Sequence, residues 1–94
     1  MSYDLSRIKS ESDFVNMLIE MDDYIRAGIL TQDKLPLGDL SDAIFEEVVR
    51  RKFNDKKQNI ILGAFESIIK EINTKQMDAE TLSVHMRQII AYLV

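Results

Sequence analysis

Residues 10–28 read SESDFVNMLIEMDDYIRAG, and their periodicity decides the fold class. Phe14, Met17, Leu18, Met21 and Ile25 recur at three- and four-residue spacing, which is one face of an amphipathic α-helix. Ser10 is a good N-cap, Asp13 stands at the third helical position in imitation of a capping box, and Glu11 and Asp13 both suit the positive end of the helix dipole. The helix should run to about Ala27, with Gly28 supplying a left-handed C-terminal residue. Its other face is an acidic stripe of Asp13, Asn16, Glu20 and Asp23. Four residues beyond the acids stand Met17, Tyr24 and Ala27, so the usual acid-to-base pairing of an exposed helix is missing, and Arg26 is the one nearby cation, shared with Asp22.

Working outward, residues 1–9 form a lead-in that either folds back or makes a short turn. The segment Ile29–Gly38 reads as a connector with one short helical turn after Thr31. Its aliphatic residues Ile29, Leu30, Leu35 and Leu37 are costly to leave in water, which predicts a lid across the core. Asp39 or Ser41 should cap a second helix whose stripe Leu40, Ile44, Val48 and Phe53 is broadened by Phe45 and Val49. Charged Lys56 and Lys57 fall on the next inward positions, so Asn54 and Asp55 are expected to form a turn and a new N-cap.

A third helix carries Ile61, Phe65, Ile68, Ile69 and Ile72, widened by Ile60, Leu62 and Ala64 until it reads as the central helix. Gly63 costs about 1 kcal/mol relative to alanine in a helix interior, and the simplest reason for it is close approach of a neighbour. Asp78 caps a fourth helix with Leu82, Met86, Ile89, Ile90 and Leu93 inward. No stretch alternates at period two. The expectation is therefore one all-α domain over residues 1–94, a mostly antiparallel four-helix bundle with helices near 11–27, 40–53, 56–73 and 79–93.

Composition bounds the rest. Ninety-four residues, 46% hydrophobic and 30% charged, describe one globular domain with no room for a second. No apolar run approaches the roughly 20 residues of a membrane-spanning helix, and no secretory signal is visible at the start, so a soluble cytoplasmic chain is expected. The net charge of −4 is unevenly spread, with acids concentrated in residues 1–47 and bases in 48–94, which bears on partners and association rates.

The residues point away from enzymatic chemistry. There is no cysteine and His85 is the single histidine, so neither a zinc-type site nor a thiol nucleophile is available; no cofactor is expected. His85 reads as a boundary residue on the fourth helix, without an oriented partner for general-base work. Glu46 and Glu47 have Arg50 and Arg51 four positions on and read as solvated ion pairs. Met17, Met21, Met77 and Met86 read as core filling. Arg50, Arg51, Lys52, Lys56 and Lys57 make a basic cluster that would suit phosphates, but only Phe53 is near for stacking and the chain as a whole is acidic.

The run from Tyr3 to Phe14, followed by Val15 to Met21, resembles the beginning of small helical bacterial immunity proteins, which cap their first long helix with a serine or threonine shortly before an acid–Phe pair, here Asp13-Phe14. The resemblance covers about the first quarter of the chain. It implies a short, acidic, cysteine-poor inhibitor that blocks a basic toxin domain. The chain departs from the colicin DNase immunity proteins, which carry a tyrosine-rich short helix after a His-Pro turn. Here Leu35-Pro36-Leu37-Gly38 stands instead, with no Tyr-Tyr pair, and no binding residue of the later helices carries over. The leading expectation is a non-enzymatic protein-binding inhibitor using Asp13, Asn16, Glu20, Asp23, Tyr24, Asp39 and Asp42, with no membrane or metal partner. The alternatives are a homo-oligomeric module completed through the third helix or the lid, and a nucleic-acid accessory using Arg50 to Lys57.

Overall fold

The structure, a computed structural model, describes residues 10–94; the lead-in 1–9 and its expected fold-back lie outside the described residues. Four helices follow one another: α1 (Glu11–Arg26), α2 (Leu37–Arg50), α3 (Asp55–Thr74) and α4 (Ala79–Leu93), with a single 3₁₀ turn, Gln32–Lys34, in the first connector. There is no strand among the described residues.

Three of the four helix starts are capped as the side chains dictate. Ser10 Oγ accepts the Asp13 N–H at 3.1 Å, Asn54 Oδ1 the Lys57 N–H at 2.8 Å, and Asp78 Oδ1 the Thr81 N–H at 2.8 Å. Each satisfies a backbone donor that the helix itself leaves unpaired. Gly28 takes φ +76, the left-handed geometry that ends α1, and the Tyr24 carbonyl then accepts the N–H groups of both Ile29 and Leu30.

The second helix corrects the sequence reading at both ends. Neither Asp39 nor Ser41 caps it. It starts three residues earlier, at Leu37, behind Pro36, which needs no N–H partner; Asp39 sits in the first turn, where a carboxylate meets the positive end of the dipole. It stops at Arg50 because Lys52 adopts φ 56, an uncommon left-handed conformation for a residue with a side chain. Phe53 therefore leaves the helical register. It is half-buried against the core, with the Lys57 ammonium 4.2 Å from its ring centroid.

The packing order is α1 against α4, α4 against α3, and α3 against α2. Polar contacts fix the directions. Ser83 near the start of α4 meets Asp22 near the end of α1, while Arg51, at the end of α2, reaches the carbonyls of both Glu11 and Leu93. Neighbours are thus antiparallel, as a four-helix bundle with short connections requires. Phe14, Leu18, Met21 and Ile25 of α1 are almost wholly excluded from water and pack with Leu40, Ile44 and Val48, Ile61, Phe65, Ile68 and Ile72, and Leu82, Met86, Ile89 and Leu93. Burial of these apolar side chains is the main stabilising term.

The lid forms, though not from all four aliphatic residues: Leu30 and Leu35 are buried, Leu37 is half-buried and Ile29 stays exposed. Gln32 fastens it. Its amide nitrogen donates to the Ile72 and Lys75 carbonyls and its oxygen accepts the Met77 N–H at 2.8 Å, joining the connector to the α3–α4 turn.

Three other expectations fail. Phe45 and Val49 do not broaden the buried face of α2; Glu47 takes a buried place there instead. Ile60, Leu62 and Ala64 do not widen the buried face of the third helix, since Ile60 is 52% exposed and Leu62 and Ala64, like Ile69, are half-buried. No neighbour approaches Gly63, where an added Cβ would meet nothing within 4 Å.

Candidate interaction surface

The helix that buries Phe14, Leu18, Met21 and Ile25 necessarily turns Asp13, Asn16, Glu20 and Asp23 outward, and all four are exposed. The structure brings these residues together as one row on α1. Glu20 forms no ion pair among the described residues, whereas Asp23 is held by Arg26 at 2.6 Å. Tyr24 is half-buried and packs against the core, and the carboxylate of Glu20 beside its hydroxyl, through hydrogen bonding and charge, holds the phenol above its ordinary range. A rigid ring with a polar tip therefore stands beside a carboxylate that no cation pairs with among the described residues.

Asp39 and Asp42 are exposed on another helix. Because α1 and α2 run antiparallel, the start of α2 lies at the end of the bundle where α1 finishes, so these two acids share that end with Asp23 and do not extend the α1 row. Asp42 shares its own face of α2 with Phe45 and Val49, at three- and seven-residue spacing.

Two carboxylates have structural rather than surface roles. Asp22 is only 4% exposed; Ser83 Oγ donates to its Oδ1 at 2.5 Å and Arg26 Nε lies 3.3 Å from its Oδ2. Arg26 thus bridges a buried and an exposed acid. Glu47, expected to be solvated beside Glu46, is instead buried and held by Arg50 and by Arg51 Nε at 2.8 Å. The sequence signal for this was present but ambiguous: a glutamate three positions after Ile44 and one before Val48 falls on the buried face.

His85 stands on the boundary between α3 and α4. Neither ring nitrogen is exposed or hydrogen-bonded; Nε2 lies 3.5 Å from Glu71 Oε2, beyond good hydrogen-bond geometry. A substrate has no access to either nitrogen. Among the described residues no group of three or more histidines and carboxylates is placed to hold a metal ion, and no helix is long and apolar enough to cross a membrane. In the basic cluster, Arg50 and Arg51 are engaged by Glu47, and Lys57 covers the ring of Phe53 that stacking on a base would need.

No protein-family model, curated protein or solved structure matches this chain.

Proposed function

We propose that the chain is a non-enzymatic binding protein, an inhibitor of the immunity or antitoxin type, whose acidic α1 face occludes a basic surface on a toxin domain. One observation carries the reading: the helix that buries Phe14, Leu18, Met21 and Ile25 presents Asp13, Asn16, Glu20 and Asp23 in one exposed row, and Glu20 forms no ion pair among the described residues. A fixed row of this sign steers a basic partner during encounter and disfavours acidic ones. Tyr24 supplies the rigid, amphipathic contact that tends to anchor such interfaces.

The test is association of the full chain with the partner captured from its native cell or encoded beside it. Changing Glu20 and Asp23 to lysine should slow association at low salt by about tenfold or more, with a smaller effect at high salt. Unchanged rate and affinity would overturn the reading.

A further inference from the structure

A cleft of about 320 Å³ opens between the lid and the last turn of α3, at the small end of the range for ligand sites. Leu35, Leu37 and Ile72 form its apolar part, and Asp33, Asn73 and Gln76 its polar part. Gln32 fixes the distance between the two walls, because its amide nitrogen donates from the lid to the Ile72 carbonyl. The cleft is therefore set before anything enters it.

Its charge has one sign. Thr31 Oγ1 donates to Asp33 Oδ1 at 2.5 Å. That hydrogen bond, followed by the backbone N–H of Asp33, holds the carboxyl below the ordinary range and fixes it as an anion at neutral pH. The last turn of α3, at the negative end of the helix dipole, contains no basic residue. No cation lines the cleft; Lys75, just past the helix, is drawn to Glu71 at 3.6 Å. Among the described residues the side-chain amides of Asn73 and Gln76 form no hydrogen bond.

Acceptors spread over three side chains suit a planar group with several fixed N–H donors better than a compact ammonium. An apolar wall beside them suits an aliphatic stem. We infer that this cleft binds an alkylguanidinium cation, with its stem on Leu35, Leu37 and Ile72 and its head against the Asp33 carboxylate and the amide oxygens of Asn73 and Gln76. A free guanidine and the arginine side chain of another protein carry the same group. The cleft uses neither Glu20 nor Asp23 and is independent of the inhibitor reading.

Heteronuclear NMR of the full chain, titrated with butylguanidine, reads the site directly. The backbone amides of Leu35, Asn73 and Gln76 should shift and saturate with a dissociation constant of roughly 1 mM, while those of Glu20 and Asp23 stay in place. Asp33→Asn, which still offers Thr31 an acceptor, should weaken binding about tenfold. Methylguanidine, which lacks most of the stem, should bind about tenfold more weakly, and butylamine should also bind more weakly. Glu20→Lys should change nothing. An arm with N-acetyl-arginine methylamide separates the sources: tighter binding than butylguanidine assigns the cleft to an arginine on a polypeptide, and weaker binding to a free guanidine. Circular dichroism confirms the fold of each variant. Shifts that do not saturate overturn the proposal, as does an unchanged constant in Asp33→Asn, or butylamine binding as tightly as butylguanidine.

Discussion

Arg51 Nε lies 2.8 Å from Glu47 Oε1, and the same guanidinium donates to the Leu93 carbonyl, so one buried ion pair on α2 fastens the last turn of α4. The Glu47 side chain is 3% exposed and that of Arg51 is 9% exposed. Removing one partner strands the other. Arg51→Met should destabilise the fold by about 3 kcal/mol in urea unfolding, the low end of the range for a broken buried pair because Arg50 remains. The double variant Glu47→Leu/Arg51→Met should lose less than the single one, since no buried charge is left without its partner. Equal or greater loss in the double variant would show that the contacts to Leu93 and Glu11, rather than the charge pair, hold the site.

Ser83→Ala removes the hydroxyl that donates to buried Asp22 across the α1–α4 seam and leaves Arg26, on the same helix as Asp22, as its remaining polar contact. The expected cost is about 1–3 kcal/mol, the penalty of an under-satisfied buried acceptor. Ser83→Thr keeps the hydroxyl and should recover part of it. Thermal or urea unfolding of the three proteins checks both points.

Gly63→Ala should raise stability by about 1 kcal/mol, because the position is inside α3 and its added methyl meets open space. A fall in stability would show that something outside this chain, such as a bound partner, needs the gap, or that the helix is distorted there.

Asp78 is held below the ordinary carboxylate range by the Thr81 N–H that it caps, followed by the Thr81 side chain. A depressed carboxylate contributes stability that is fully present above its unfolded value of 3.8 and is lost as pH falls through the lower folded value. Wild type should therefore exceed Asp78→Asn in melting temperature at neutral pH, and the gap should close as pH is taken below 3.8. A gap that is constant from neutral to acid pH would mean that the charge of Asp78 contributes nothing beyond the cap geometry.

The α1 and α4 helices were legible because independent local signals agree: a capping side chain and a 3.6-residue apolar period in both, and in α1 also a clear stop at Gly28. Ser10 and Gly28 frame α1 as their chemistry dictates, and Asp78 starts α4. The second helix was misplaced because Pro36 and Lys52 act through backbone geometry rather than through side-chain capping, so the pattern of apolar residues alone put both ends about three residues too late. The acidic stripe was legible by elimination: a helix that turns Phe14 and Leu18 inward must turn Asp13 and Glu20 outward.

The sequence by itself determined the class, the number of helices and which face of α1 meets water, because these follow from periodicity and capping within a few turns of chain. Only the tertiary structure decided which charges are buried and which apolar residues are not. Asp22 and Asp23 are identical neighbours in sequence, yet Ser83, 61 residues away, lies beside one of them only. Glu46 and Glu47 divide in the same way, as do Val48 and Val49, because the boundary of a helix face is set by where the neighbouring helices lie, and those arrive from distant parts of the chain.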